Sequence, residues 1–426
     1  MKAIGIDIGT TSICGIVADV ESGEILNSIT KNSDAFIAGC APWEKIQSVD
    51  KIMDLATGIV NSLIDDDVVT IGVTGQMHGI VYINSDGEAI SPLYTWQDER
   101  GNLPYGDTTY AKYLNSFSGY GNVTDFYNRE NGLRPAETVS YCTIHDYFVM
   151  KLCKLKSPII HASDAASFGC YDLETNSFNY NYSVKIETGF AIAGTYNDIP
   201  VSVAIGDNQA SVFSTLTDEN NILLNVGTGS QVSIISDTPI NGENIETRPY
   251  FDGKYLVCGA ALCGGRAYSL LKDFYREILS HAGIYDESQI YEIMAKMIHS
   301  ATDSLFVDTR FAGTRLCSDI CGKIEGITTE NFTPSNLTAG FLDGMVKELF
   351  DMYLNMSVKK YGIVGSGNGI RKNPALTSTF EKRFGSKMKI PSHAEEAAFG
   401  SALYALVACG IFKDRSEVRK KVSYLQ

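Results

Sequence analysis

The chain has 426 residues, long enough for two domains of ordinary size rather than one core. Its 35 basic residues against 50 acidic ones leave a formal charge of −15, which argues against broad binding to nucleic acid or anionic membrane. An apolar share of 44% with 20% charged residues excludes a disordered chain. Ten cysteines are scattered without a C-x-x-C pair, which favours free thiols in a reducing cytoplasm. Cys317 and Cys321 are not joined by a second ligand pair, so a zinc site is not expected there. Met1-Lys2 leads straight into a strand pattern, and no apolar run is long enough for a membrane span.

In chain order, Ala3–Asp7, Ile13–Asp19 and Glu24–Ile29 read as an antiparallel meander, with turns at Gly9-Thr10-Thr11 and Glu21-Ser22-Gly23. Apolar residues at Val49, Ile52, Met53, Ala56, Ile59, Val60 and Leu63 predict a helix over 48–63. The β-branched run Val68–Val73 predicts a buried strand ending at Thr74-Gly75. Three strands, a helix and a strand open the ribonuclease-H-like unit. The order returns with Leu223–Asn225, Gln231–Ile235 and Tyr255–Cys258, then a helix from Gly265 to Leu279. Later come a helix over 338–355, a strand over 362–364, and helices over 373–384 and 395–408. The polar stretch 217–221 places the domain boundary within 200–222.

Two turns separated along the chain are alike: Asp7-Ile8-Gly9-Thr10-Thr11-Ser12 and Asn225-Val226-Gly227-Thr228-Gly229-Ser230. Each follows a short apolar strand, and each predicts a hairpin whose tight turn presents backbone N–H groups and hydroxyls to a phosphate. Asp7, at a strand end, suits a magnesium-bound water beside nucleotide phosphates, against the plainer reading of an Asx turn. Asp207 follows the strand Val201–Ile205 and Gly206, where it is placed to accept a proton from a substrate hydroxyl; the plainer reading is a helix N-cap. Gln76, Met77 and His78, with the run Trp96-Gln97-Asp98-Glu99-Arg100, supply the aromatic, amide, carboxylate and guanidinium groups that hold a polyhydroxylated sugar. The plainer reading makes Trp96 a core residue and Asp98 with Arg100 a surface pair. Gly365-Ser366-Gly367-Asn368-Gly369 is a strand-to-helix turn open to a base or ribose, without the spacing of a dinucleotide fingerprint. A G-x-x-x-x-G-K-[ST] loop is absent from the sequence.

As a set, these motifs resemble the FGGY carbohydrate kinases over nearly the full length. Thr143–Tyr147, Ser163–Gly169 and Gly367–Pro374 look most like the sedoheptulokinase branch. The resemblance implies two ribonuclease-H-like (actin-like ATPase) α/β domains around a central cleft, residues 1–215 binding sugar and 216–426 binding ATP. It implies Asp207 as general base and Asp7 as the organiser of Mg2+. Gln76, Met77, His78, Trp96, Asp98, Arg100 and Asn208 would meet a ketose. Gly9, Thr10, Thr11 and Ser12 would meet the transferred phosphate, Gly227, Thr228 and Gly229 the phosphate chain of ATP, and Gly265, Gly367 and Asn368 the adenosine. The chain departs from the pattern at Glu99, where Gly is usual, and at Ile13-Cys14, where a basic side chain is usual. The implied activity is ATP-dependent phosphorylation of a terminal ketose hydroxyl, sedoheptulose first. A xylulose or ribulose kinase, or an actin-like sugar sensor of weak turnover, stands as the alternative. The partners expected are a small ketose, neither nucleic acid nor membrane, with a homodimer compatible.

Overall fold

The computed structural model describes all residues except 39, 40, 285, 287, 288, 304, 315, 316, 318 and 426. They form two compact units: Met1–Thr217 with Arg248–Tyr255 and Glu395–Ser423, and Asp218–Thr247 with Leu256–Ala394 and Tyr424–Gln426.

The first unit is built on β1 (Lys2–Ile8), β2 (Ser12–Asp19), β3 (Ile25–Asn32), α1 (Val49–Leu63) and β4 (Val68–Gly75). β1 and β2 pair antiparallel, and β1 and β4 pair parallel with Ile8 opposite Gly75. α1 starts where Ser48 Oγ accepts from Lys51 N, and it buries Val49, Ile52, Ala56, Ile59, Val60 and Leu63, the stripe its spacing predicts. Two short helices follow, α2 (Ile144–Leu152) and α3 (Ala162–Ser167). Then come β5 (Ile192–Tyr196), β6 (Ile199–Ser202), β7 (Ile205–Gly206) and α4 (Asp207–Thr215). The sheet runs β5-β6-β4-β1-β2-β3, with β7 pairing β4 through Gly206 opposite Gly75. Ile4, Ile6, Ile71 and Val73 lie in its core.

The second unit repeats the plan with β8 (Asn221–Val226), β9 (Ser230–Ser236), β10 (Ile245–Pro249) and β11 (Tyr255–Ala261), of which Arg248, Pro249 and Tyr255 belong to the first unit. α5 (Gly265–His281), α6 (Pro334–Asn355), β12 (Gly362–Ser366), α7 (Pro374–Phe384) and β13 (Met388–Lys389) complete it. Its sheet order is β10-β11-β9-β8-β12-β13, with β8–β9 antiparallel and β8–β12 parallel. α6 starts earlier than the apolar spacing predicts, because Thr333 caps Asn336 N and Pro334 takes the first turn, where a missing N–H costs nothing.

The last long helix, α8 (Glu396–Ala408), lies in the first unit, so the linear division at residue 215 does not describe the packing. The reason is steric. A Cβ on Gly5 would stand 1.9 Å from Ala398 O, one on Gly72 1.9 Å from Ser401 O, and one on Gly400 1.9 Å from Ala210 O. Backbone thus meets backbone between α8, the two central strands and α4. Gly400→Ala is expected to lower stability by about 1–3 kcal/mol through overpacking, read from the denaturant midpoint. A midpoint equal to wild type would show that α4 and α8 can separate freely.

Candidate functional site

In the first unit, the parallel strands β1, β4 and β7 end side by side, and ligands of open α/β sheets bind beyond such carboxyl ends. Asp7 is the last but one residue of β1, Gln76–His78 follow β4, and Asp207-Asn208 follow β7. Thr74 Oγ1 donates to Ile205 O at 2.6 Å, tying β7 to β4. Asp207 is the first helical residue of α4, and Gly206 is the N-cap, so its side chain is not spent on capping.

Asp7 and Asp207 are both half-buried. Burial, then the charges of Asp207 and Glu395, push the Asp7 carboxyl up to about 7. Burial also raises Asp207, while His145, Arg248 and the Asn208 N–H pull it back. Three carboxylates sharing one neighbourhood form an electrostatic sink that a divalent cation would relieve, so the donor set at Asp7 fits Mg2+.

The Thr10 turn is held from behind. Gln47 Nε2 donates to Thr10 O at 2.7 Å, Trp96 Nε1 donates to Thr10 Oγ1 at 2.9 Å, and Thr10 Oγ1 donates to Gln76 Oε1 at 3.1 Å. Gln76 Nε2 meets Gln47 Oε1 at 3.0 Å. The Gln76 amide thus takes part in supporting the turn. Gly9 and Ser12 are half-buried and Thr11 is exposed. Trp96 is 45% exposed, so it is not the core residue that the plainer reading made it.

Asp98 and Arg100 depart from expectation. Each is 1% exposed. Arg100 Nε and Nη2 meet Asp98 Oδ1 and Oδ2 at 2.7 and 3.1 Å, Lys45 N donates to Asp98 Oδ2, and the guanidinium lies 4.3 Å from the Tyr94 ring centroid. Both carboxylate oxygens are used inside the fold. The pair acts as an interior clamp rather than the surface pair of the plainer reading. Glu99, between them, is exposed.

Met77 is buried, with its sulfur 3.8 Å from Arg248 Nη1. His78 adopts φ 73°, stacks on Tyr120 with centroids 4.2 Å apart, and meets Ser167 O through Nδ1 at 2.8 Å. A carbonyl there requires the hydrogen on Nδ1, which leaves the lone pair on Nε2. Sequence reasoning passed over Arg248, Glu395, His145 and Asp164. Each is remote along the chain from the motif it serves, and His145 and Asp164 were visible merely as parts of longer similar runs.

The second unit holds its predicted residues together more completely. Gly227, Thr228, Gly265, Gly367 and Asn368 line one cavity of about 940 Å³, with Tyr268, Tyr291, His299, Lys372 and Asn373 completing its wall. Its turn is fixed by Gly227 N to Gly229 O at 2.9 Å, Gly265 N to Gly227 O at 2.9 Å and Arg266 N to Thr228 O at 3.0 Å. Gly229 packs beneath, against Gly264. Gly367 takes φ 84°, and a Cβ there would stand 2.6 Å from Val226 O. Backbone thus forms the narrow part of the cavity, with aromatic rings on its wall, a shape and size that fit a nucleotide.

Two such sheets define the actin-like ATPase fold. Residues 2–104 match the model of the FGGY family of carbohydrate kinases, N-terminal domain. The chain is 27% identical to sedoheptulokinase of Mus musculus, covering 95% of this chain and 97% of that one. Its fold is that of xylulose kinase from Rhodospirillum rubrum (TM-score 0.85, 15% identity, covering 100% of this chain and 93% of that one). It is also that of Plasmodium falciparum glycerol kinase with ADP (TM-score 0.77, 16% identity, covering 98% and 92%). The chain is therefore similar to the FGGY family of carbohydrate kinases, through the family model over its first part and through relatives over nearly its full length. No helix among the described residues is long and apolar enough to cross a membrane.

The raised Asp7 carboxyl has a direct consequence. Its ordinary value lies near 4 and its folded value near 7, so the native state holds this proton across that interval and the unfolded chain does not. Its contribution to stability therefore falls as pH rises through the interval. In EDTA, Asp7→Asn should raise Tm by a few degrees at about pH 8 and by clearly less at about pH 5. An equal shift at both pH values, read by scanning calorimetry, would refute the assignment.

Proposed function

We propose that this chain transfers the γ-phosphoryl group of ATP to the terminal hydroxyl of a ketose, sedoheptulose first, with Asp207 as the general base. The observation that carries this reading is the placement of Asp207: half-buried, one residue past a parallel strand end, free of the capping role, and in the field of Asp7. A carboxylate so held suits accepting the hydroxyl proton as the oxygen attacks phosphorus. Met77, His78, Trp96 and Asn208 would orient the sugar near it, and Gly9, Thr10, Thr11 and Ser12 would receive the transferred group. Gly227, Thr228 and Gly229 would hold the phosphate chain, and Gly265, Gly367 and Asn368 the nucleoside. Mg2+, organised by Asp7, would neutralise charge on the phosphates. Similarity to mouse sedoheptulokinase over 95% of the chain supports the seven-carbon substrate, and the xylulose kinase fold leaves a five-carbon one as the second reading.

The test is ADP release with a panel of ketoses. Sedoheptulose should give the highest kcat/KM; a pentulose preferred over it would establish the second reading, and ATP hydrolysis indifferent to every sugar would refute the kinase. Asp207→Asn should reduce kcat about a hundredfold or more while nucleotide affinity is kept, and near-normal turnover would refute its role. Gly367→Val should weaken ADP binding at least about tenfold, since φ 84° and the Val226 carbonyl leave a branched side chain no place. Calorimetric titration reads it, and unchanged affinity would move the nucleotide elsewhere.

A further inference from the structure

Behind the strand ends of the first unit lies a polar group that the proposed chemistry does not use. His145, Asp146 and Asp164 are buried at 0%, 1% and 0% exposure. His145 Nε2 meets Asp164 Oδ1 at 3.0 Å, and Asp146 Oδ2 accepts from Thr143 Oγ1 at 2.7 Å. His145 Nδ1, Asp146 Oδ1 and Asp164 Oδ2 have no hydrogen-bond partner among the described residues. A buried imidazole with one bare nitrogen is costly unless that nitrogen faces something that needs it.

The backbone shows what it faces. His145 Nδ1 lies 3.0 Å from where a Cβ on Gly75 would stand. Gly75 is in register with Ile8 on one side and Gly206 on the other, the neighbours of Asp7 and Asp207. The same wall fixes the base from α3, where Gly206 N donates to Ser163 Oγ at 3.0 Å and Ser163 Oγ meets His161 Nδ1 at 2.8 Å. We propose that His145, anchored on Asp164, is a positioning residue for Asp207, presenting an Nδ1–H to the strand ends that carry the base.

The direction of the hydrogen follows from burial. The titratable and charged groups around Asp207 are His145, Asp164, Arg248 and Asp7, and those around His145 are Asp146, Asp164 and Asp207. Burial holds Asp164 and Asp146 well above the carboxylate range and lowers His145, so the pair is neutral, with Asp164 keeping its proton. The Asp164 O–H then donates to Nε2, and the imidazole hydrogen must sit on Nδ1. An ionised pair would also carry a hydrogen there. The remaining arrangement, a bare carboxylate beside a bare Nδ1 in an acidic surrounding, is the one that burial disfavours most. An N–H dipole aimed at the strand ends favours the ionised, base-competent form of Asp207.

This rests on Asp207 as the base, and two arms separate it from that reading. Gln at 145 reaches Asp164 with its amide, whose oxygen accepts from the Asp164 O–H, and has no donor at Nδ1, whereas Asn can place an N–H at the Nδ1 position and gives up Asp164. His145→Gln should move the acid limb of kcat/KM up by about one pH unit and cut kcat at neutral pH about tenfold, with the KM for ATP unchanged. His145→Asn should keep the limb where wild type has it. The reverse ordering, expected if His145 merely braces α3, would overturn the proposal. The second arm needs neither turnover nor a variant: 15N spectra of histidine-labelled wild type should show the His145 hydrogen on Nδ1 across about pH 6 to 8. A bare Nδ1 overturns the proposal, and so does a stoichiometric divalent metal in the purified protein that His145→Gln loses. Absence of ketose-dependent ADP release would refute the kinase reading and leave the spectrum to decide His145.

Discussion

Carbonyl oxygens of α8 occupy the space that side chains at 5 and 72 would need, and Ala210 O occupies the space beside Gly400. This contact fixes the depth at which α8 lies on β1 and β4, and through Ala210 it fixes α4, whose first residue is Asp207. Alanine at Ala398, Ala402 and Ala405 continues the close face, and all three are buried. Interiors packed this densely transmit small displacements rather than absorb them. The position of the candidate base is thereby set by a helix that enters the first unit from the far end of the chain.

The second constraint is electrostatic. Asp7, Asp207 and Glu395 share one neighbourhood, and Asp146 and Asp164 lie buried behind it. Arg248 and the imidazole of His145 are the counterweights that act on Asp207. A fold seldom gathers that many carboxyl groups for stability, since each desolvated like charge raises the free energy of its neighbours. Such gathering is the mark of a site meant to hold a cation or move a proton. The Asp98–Arg100 clamp shows the contrasting case: there opposite charges meet inside the fold at 2.7 and 3.1 Å.

The second unit answers a different need with different means. Its cavity is shaped at the narrow part by backbone, with Gly265 and Gly367 packed against the turn of β8 and β9. Amides and carbonyls already bonded to one another hold the wall rigid, while Tyr268, Tyr291, His299 and Lys372 supply its varied chemistry. Rigidity comes from the main chain and chemical variety from the side chains.

The strands, the long helices and the two glycine turns were legible because each depends on neighbours a few residues away. Alternation of Ile4, Ile6 and Ile8, the helical stripe from Val49 to Leu63, and Gly-Thr turns after apolar runs are local signals that hydrophobic periodicity and turn sterics write directly. Of the candidate site, the strand-end positions of Asp7 and Asp207 and the glycine turns of the second unit were legible by the same means. Partnership was not legible. That Gln76 would be taken by Gln47 and Thr10, that Asp98 would close on Arg100 away from solvent, and that His145 would find Asp164 are matters of packing between distant segments. Sequence by itself determined which elements form and where the chemistry-bearing residues sit on them, because backbone sterics and apolar spacing act over a few residues. Tertiary structure alone decided which of those polar groups face one another and which face outward, because burial and long-range contact assign each donor its acceptor.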